Sequence, residues 1–168
     1  MQKIIDVALS KVGYKETPKN KTEFGEWFGL DGLAWCGIFV SWCYFKANYS
    51  LGTIDYTKGF AGCLFALNYF KKRGEVVTFE QAQPGDIVIY DWDGNGKPDH
   101  TGILKSKTGT DFETVEGNTA VGNDSNGGEV MVRLNSWKIK PGARRLGSKC
   151  KVYFIHPKVL DTSSIKAA

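Results

Sequence analysis

Long hydrophobic runs are missing from this chain of 168 residues. No segment approaches the roughly 20 apolar residues that a membrane-spanning helix needs. A secretory signal is missing as well, because Asp6 interrupts the short apolar run in the N-terminal MQKIIDVALSKVG and no small-residue cleavage site follows it. These absences predict a protein without a membrane span that is synthesised in the cytoplasm without a signal peptide.

A large excess of charge is also missing, since 22 Lys and Arg residues against 18 Asp and Glu residues leave a formal net charge of +4. A small positive net charge of this kind is compatible with binding to any anionic polymer and does not indicate nucleic acid in particular. A nucleic-acid-binding domain usually carries a basic stripe with interleaved aromatic residues, and the chain shows none. We therefore predict that nucleic acid is not a partner, while the oligomeric state stays open.

The chain length fits one domain, and the 20 glycines favour turns and loops over a helical bundle. Apolar residues recur at helical spacing in three segments, which we predict to be helices over 2–12, 35–47 and 60–73. Residues 14–34 are polar and contain several glycines, so we predict a long loop there.

Later segments are short, β-branched or aromatic, and bounded by Gly, Pro, Asn or Asp, which is typical of strands. They cover 86–90, 100–106, 111–117, 129–134 and 151–156. Helices followed by antiparallel strands predict an α+β domain with the helices packed on one face of the sheet. We expect this domain to span residues 1–160 and residues 161–168 to form a frayed or linker-like tail.

The cysteines raise the question of disulfides, which a cytosolic origin disfavours. On one helix, Cys36 and Cys43 would be about 10 Å apart, beyond the limit of about 7 Å between Cα atoms. A bridge between Cys63 and Cys150 stays open. We interpret Cys43 and Cys63 as buried structural cysteines, because both fall in apolar helical segments.

Cys36 differs from these cysteines because it stands at the start of a predicted helix. A helix N-terminus stabilises negative charge and so lowers the pKa of a thiol. The preceding loop GLDGLAW allows a close approach of the backbone, which makes the amides around Cys36 candidate oxyanion donors. Cys36 is therefore a candidate nucleophile, although a lone cysteine is more often a buried structural residue.

Histidine is scarce, with only two residues in the chain, so a cysteine–histidine enzyme must use His100 or His156. His100 lies where a turn enters a strand, a position that presents an imidazole to a cleft. His156 has no polar cluster around it in the sequence, and we interpret it as a surface or packing residue. Glu116 and Asn118, at a strand end, are candidates to orient the imidazole; the alternative is a polar turn.

Three segments together resemble the CHAP domain family of cysteine- and histidine-dependent amidohydrolases and peptidases. AWCGIFVSWCY resembles the family's nucleophile motif, PGDIVIYDWDGNGKPDHTGIL its histidine segment, and TVEGNTAVGNDSNGGEVMVR its Glu–Asn segment. Their order and spacing are those of the family, and the resemblance covers residues 1–157. It implies a papain-like fold with Cys36 on a helix against an antiparallel sheet, and bacterial peptidoglycan as substrate and partner.

On this resemblance we predict a peptidoglycan hydrolase, most often a phage lysin in this family, that cuts a muramoyl-L-alanine or a muropeptide amide bond. The predicted catalytic residues are Cys36, His100, Glu116 and Asn118. The tryptophans Trp35, Trp92 and Trp137 are candidates for the wall of a substrate groove, or else core residues.

Two alternatives to this function stay open. Another papain-like cysteine hydrolase of the NlpC type usually has an Asp-Cys pair, whereas Trp precedes Cys36 here. A non-catalytic wall-binding or virion structural module is the alternative outside the enzymes, but a catalytically dead version should lack Cys36 or His100.

The segment DWDGNGKPD at 91–99 resembles part of an EF-hand calcium loop. The oxygen ligands would come from Asp91, Asp93, Asn95, the Lys97 carbonyl and Asp99. The bidentate glutamate that closes such a loop is absent, because Gly102 stands in its place. We predict a weak structural Ca²⁺ site and no cofactor required for the chemistry; the alternative is an ordinary hairpin turn.

Overall fold

The four helices come before the strands of the main sheet within residues 1–164, which the computed structural model describes. The helices are α1 (Gln2–Leu9), α2 (Glu23–Phe28), α3 (Cys36–Lys46) and α4 (Cys63–Lys72). The strands are β1 (Tyr49–Ser50), β2 (Val76–Val77), β3 (Ile87–Asp91), β4 (His100–Thr108), β5 (Asp111–Thr119), β6 (Glu129–Ser136), β7 (Ala143–Arg145), β8 (Lys151–Ile155) and β9 (Leu160–Asp161).

The main sheet has seven strands in the order β2-β8-β3-β4-β5-β6-β7, and β1 pairs with β9 in a separate ribbon. Neighbouring strands of the main sheet are antiparallel except β6 and β7, which are parallel. The predicted strands correspond to β3, β4, β5, β6 and β8. The α+β class with a mostly antiparallel sheet is therefore confirmed, while the papain-like fold stays a prediction.

Helix α3 is the centre of the core. Every residue from Cys36 to Tyr44 is buried, as expected for a helix that is apolar on all sides. It packs on β4 and β5, where the sheet presents apolar residues such as Ile103 and Val115. Burial of each such side chain stabilises the fold by about 1.5–3 kcal/mol. This packing fixes the start of α3 relative to the strands.

The prediction of a continuous loop over 14–34 was wrong, because α2 lies within it. The Thr22 hydroxyl accepts a hydrogen bond from the Gly25 amide at 2.8 Å and so caps the helix. Gly29 ends the helix in the left-handed conformation, with φ of 94°. Phe24 is buried in the core. A helix of six residues is too short to show a clear hydrophobic period.

The C-terminal part of the described chain lies against the segment after α3. Strand β9 pairs with β1, and the Thr162 amide donates to the Asn48 carbonyl at 2.8 Å. The predicted tail 161–168 therefore starts within a paired strand, and residues 165–168 lie outside the described residues. Within residues 1–164 no helix has the length and apolar character to cross a membrane.

Candidate active site

Cys36 is the first residue of α3 and follows Trp35 directly. The first helical hydrogen bond runs from the Phe39 amide to the Trp35 carbonyl at 2.8 Å, so the amides of residues 36–38 lie outside the helical ladder. Such amides stabilise negative charge at a helix start. The Gly37 amide contacts the sulfur of Cys36. Cys36 is only 5% exposed, and electrostatic interactions in such a buried place are stronger than in water.

His100 opens β4 opposite Tyr90 of β3. The residue is fully buried, and its Nε2 lies 2.9 Å from Oε2 of Glu116, which is also fully buried. Its Nδ1 is buried and has no hydrogen-bond partner among the described residues. A carboxylate at Nε2 holds a proton on that nitrogen, so Nδ1 is left to exchange a proton with the thiol of Cys36.

Glu116 reaches His100 because of local features of β5 and β4. The pairing of β5 with β6 shifts directly after Glu116, and such a bulge redirects side chains. The Thr114 hydroxyl donates to Oε1 of Glu116 at 2.6 Å. On β4, a Cβ at Gly102 would lie 2.6 Å from Cγ of Glu116. Glycine at this position therefore leaves room for the carboxylate.

Arg144, on β7, is a member of this centre that the sequence analysis missed. Its guanidinium donates to both carboxylate oxygens of Glu116, from Nη2 to Oε1 at 2.5 Å and from Nη1 to Oε2 at 2.9 Å. It also lies 4.7 Å and 4.6 Å from the ring centres of Tyr90 and Trp92. No pattern in the sequence distinguishes Arg144 from its exposed neighbour Arg145, because only tertiary contacts separate them.

The surroundings favour charged forms of the three central groups. The hydrogen bond from Cys63 and the proximity of His100 lower the pKa of Cys36 well below its usual value, although burial opposes this. Burial would lower the pKa of His100, but Glu116 and Cys36 raise it to about 9. Burial would raise the pKa of Glu116, but Arg144 and His100 hold it below its usual range. Thiolate, imidazolium and carboxylate are therefore favoured together.

Cys63 lies beside the candidate nucleophile, with its Sγ 3.9 Å from Sγ of Cys36. The interpretation of Cys63 as a purely structural cysteine therefore missed a contact with the site. The two residues are far apart in sequence, so no local pattern indicates this contact. All four cysteines are free thiols, and the bridge from Cys63 to Cys150 that the sequence left open is not formed.

Asn118 does not reach His100 and instead holds the following loop. Its Oδ1 accepts from the Gly128 amide at 3.3 Å, and its Nδ2 donates to Oδ1 of Asn126 at 3.2 Å. Its φ is 57°, a left-handed conformation that asparagine tolerates better than most residues. The structure thus assigns Asn118 to the loop over 120–128, which its side chain fixes, and not to the imidazole of His100.

The candidate groove tryptophans occupy three different environments. Trp35 is fully buried, and its indole donates to Oε2 of Glu16 at 2.7 Å; the prediction that it lines a groove was wrong, because it is a core residue. Trp92 is half-buried and stacks 6.2 Å from the ring of His100. Trp137 is 44% exposed and borders a different hollow, which includes Phe79. Only Trp92 therefore lies at the site.

The loop over 91–99 brings its carboxylates together. Oxygen atoms of Asp91, Asp93 and Asp99 all lie within 4.8 Å of one another. Asp91 is fully buried. The side-chain oxygen of Asn95 accepts from the Lys97 amide at 2.7 Å, so it is engaged within the loop. The three carboxylates thus form a cluster whose oxygens suit a hard cation.

This geometry defines a class of protein, in which a cysteine at a helix start, a buried histidine and a carboxylate form one centre. The CHAP domain family model matches residues 28–118, more than half of the chain. The chain therefore belongs to the CHAP domain family, and Cys36, His100 and Glu116 all lie within the matched segment. CHAP domains are generally cysteine- and histidine-dependent amidohydrolases or peptidases, with peptidoglycan as the implied substrate.

Comparison with individual proteins adds no closer relative. No curated protein matches the chain, and no solved structure matches it.

Proposed function

We propose that this CHAP domain hydrolyses an amide bond of bacterial peptidoglycan, as a muramoyl-L-alanine amidase or a muropeptide endopeptidase of the phage-lysin kind. One arrangement carries the proposal: Cys36 stands at a helix start beside His100, whose other nitrogen is held by Glu116 at 2.9 Å. A nucleophile, a base and a group that orients the base are the parts that acyl transfer through a thioester requires.

In the first step, the Cys36 thiolate attacks the carbonyl carbon of the substrate amide. The amides of residues 36–38 are aimed at the negative charge that develops on the carbonyl oxygen. The S–C bond forms, and the C–N bond breaks as Nδ1 of His100 gives its proton to the leaving amine. The product of this step is a thioester on Cys36 and a free amine.

In the second step, water replaces the thiol. His100 is now neutral at Nδ1 and takes a proton from the attacking water. The C–S bond breaks, which releases a carboxylic acid and returns the Cys36 thiolate. Glu116 holds the imidazole in one orientation during both steps, and Arg144 holds Glu116 through two hydrogen bonds.

We further propose that the loop over 91–99 binds Ca²⁺ weakly and braces the strand that begins at His100. The cluster of Asp91, Asp93 and Asp99 supports this, because carboxylates held this close repel one another without a cation. Asp99 immediately precedes His100, so an ordered loop also orders the base. The ion takes no part in bond making in this proposal.

The direct test is mass spectrometry of muropeptides released from purified walls of several bacteria. We expect wild-type protein to release products with one new amine and one new carboxylate per cut, and Cys36→Ala to release none. Cys150→Ala is the matched control, because Cys150 is also a buried free thiol but lies in the second core cluster. If the wild-type protein bound every wall but released no muropeptides from any of them, the result would favour a binding module and contradict the proposal.

A further inference from the structure

Two thiols meet at the starts of two helices. Cys36 is the first residue of α3 and Cys63 is the first residue of α4, and their sulfur atoms lie 3.9 Å apart. A disulfide has an S–S bond of about 2.0 Å. The sulfurs therefore need to approach each other by only about 1.9 Å to form one.

The segment before α4 is fixed against α3, so this approach of the thiols is a property of the fold. The Ser41 hydroxyl on α3 accepts from the Phe60 amide and donates to the Phe60 carbonyl, both at 2.9 Å. A Cβ at Gly37 would lie 2.6 Å from the Ala61 carbonyl oxygen. Only glycine next to Cys36 permits so close a contact between the two segments.

A side chain on the same segment also fixes the start of α4. The Asp55 carboxylate accepts from the Ala61 amide at 3.1 Å and from the Gly62 amide at 2.8 Å. Cys63 follows Gly62 directly, so its backbone is fixed both by the contacts of the preceding segment with α3 and by the hydrogen bonds to Asp55. The thiol of Cys63 is consequently kept beside Cys36 through several independent contacts.

We propose that this thiol pair is a reversible modification site, at which Cys36 is oxidised by a hydroperoxide and then joined to Cys63 by a disulfide. The Cys36 thiolate attacks one oxygen of the hydroperoxide, the O–O bond breaks, and Cys36 becomes a sulfenic acid. The hydroxide or alkoxide that leaves takes a proton from the solvent and becomes water or an alcohol. Cys63 sulfur then attacks the sulfenic sulfur, its proton leaves with the hydroxyl group as water, and the disulfide forms.

The other thiols do not share this arrangement. Burial raises the pKa of Cys43 well above its usual value, and burial raises that of Cys150 to about 11. Thiols are less reactive than thiolates toward oxidants. These two cysteines therefore serve as internal controls in the same molecule.

The disulfide has a specific consequence for the candidate nucleophile. While it is present, Cys36 has no thiolate with which to attack an amide, and a reductant restores it. Without Cys63, the sulfenic acid on Cys36 has no adjacent thiol and reacts with further peroxide to the sulfinic acid, which thiols do not reduce. Cys63 would thus protect the nucleophile against permanent loss.

The test is peptide mapping by mass spectrometry after treatment of the whole chain with hydrogen peroxide and alkylation of the remaining thiols. In wild-type protein we expect a cross-linked Cys36–Cys63 peptide, lighter by two hydrogen atoms than the separate peptides, that dithiothreitol abolishes. In Cys63→Ser we expect Cys36 to gain two oxygen atoms and to resist dithiothreitol. Cys150→Ser, the matched control, should form the same cross-link as wild type.

A second variant, Cys63→Ala, is treated in the same way, so that a folding defect of one variant does not decide the result. Circular dichroism shows whether each variant is folded. The proposal would be overturned if the sulfinic acid accumulated on Cys36 at the same rate in wild type and in both Cys63 variants. A cross-link of Cys36 to another cysteine would also overturn it. These masses are read without substrate, so the outcome is independent of whether the chain proves to be a wall hydrolase.

Discussion

Two histidine–carboxylate pairs stand at opposite ends of β3, and they differ in their surroundings. His100 pairs with Glu116 at 2.9 Å, and neither side chain is exposed. His156 pairs with Asp86 at 2.7 Å, but its side chain is 45% exposed. This exposure agrees with the interpretation of His156 as a surface residue, and its partner Asp86 is distant in sequence.

The difference shows that a hydrogen-bonded imidazole and carboxylate do not make a site by themselves. The pair at His100 has a thiol on one side and the Arg144 guanidinium on the other. At His156, burial raises the pKa of Asp86, and solvent reaches the imidazole. The pair at His100 is therefore held in charged forms by its neighbours, whereas the interaction at His156 is partly screened by the water that reaches the imidazole.

The largest expected effect comes from removing one imidazole at a time. His100→Ala should lower kcat for wall hydrolysis by about 10²–10⁴-fold, because it removes both the proton donor and the base. His156→Ala should leave kcat within about twofold, because its interaction is partly exposed. Release of soluble muropeptides over time measures both. A loss of activity in His156→Ala with retention in His100→Ala would reverse the assignment.

The carboxylates offer the next comparison. Glu116→Gln should lower kcat by about 10²-fold or more, because the amide no longer fixes the imidazole. It should also lower the unfolding free energy by about 3 kcal/mol, because the buried Arg144 loses one charged partner and keeps only Asp124 at 3.3 Å. Asp86→Asn should change kcat little. Urea unfolding and muropeptide release separate the two effects. Equal losses of kcat in Glu116→Gln and Asp86→Asn would contradict the claim that only the pair at His100 serves the reaction.

Arg144 contacts the pair at His100 and not the pair at His156, and its neighbour Arg145 provides a matched control. Arg144→Lys keeps the charge but loses the paired hydrogen bonds to Glu116. The unfolding free energy should therefore fall by about 1.5–3 kcal/mol. The value of kcat should also fall, with little change in KM. Arg145→Lys, on the same strand and exposed, should be neutral. Initial rates at several wall concentrations give the kcat and KM values. Wild-type kcat in Arg144→Lys would exclude Arg144 as a positioning residue.

The smallest effect is expected from calcium, whose proposed site adjoins the pair at His100 and is far from His156 in sequence. Millimolar Ca²⁺ should raise the melting temperature of the wild type, since ligand at a tenfold excess over Kd adds about 1.4 kcal/mol to the unfolding free energy. Asp93→Ala should abolish this shift, whereas Asp6→Ala, an exposed control on α1, should keep it. Thermal scans with Ca²⁺ and with chelator measure the difference. Identical melting curves for wild type in both conditions would leave the loop an ordinary turn.

Local motifs made part of the site predictable from the sequence. Cys36, His100 and Glu116 each lie in a segment with a recognisable pattern, and the structure brings all three together. Arg144 and Cys63 lack such a pattern, because their roles depend on strand order and on the packing of α4 against α3. Trp35 was misplaced because an aromatic residue beside a nucleophile looks the same in sequence whether it faces solvent or the core.

The longer elements of the fold were also predictable from the sequence, whereas the short ones were not. Repeated apolar spacing located the longer helices, and turn residues bounded the longer strands. Helix α2 and the short strands β2 and β7 were missed, because two to six residues contain less than two turns of a helix or too few alternations of a strand. Their positions are decided by tertiary contacts, such as the Thr22 cap and the parallel pairing of β7 with β6.

The order of strands in the main sheet has a consequence for synthesis on the ribosome. Strand β8 is synthesised after all the other strands of the main sheet, yet it lies inside this sheet between β2 and β3. Until it emerges, β3 has an unpaired edge at the strand that carries Tyr90 opposite His100. A nascent chain therefore exposes a strand edge that is prone to aggregation until β8 has emerged. The sheet that carries His100 is thus completed by the last of its seven strands to be synthesised.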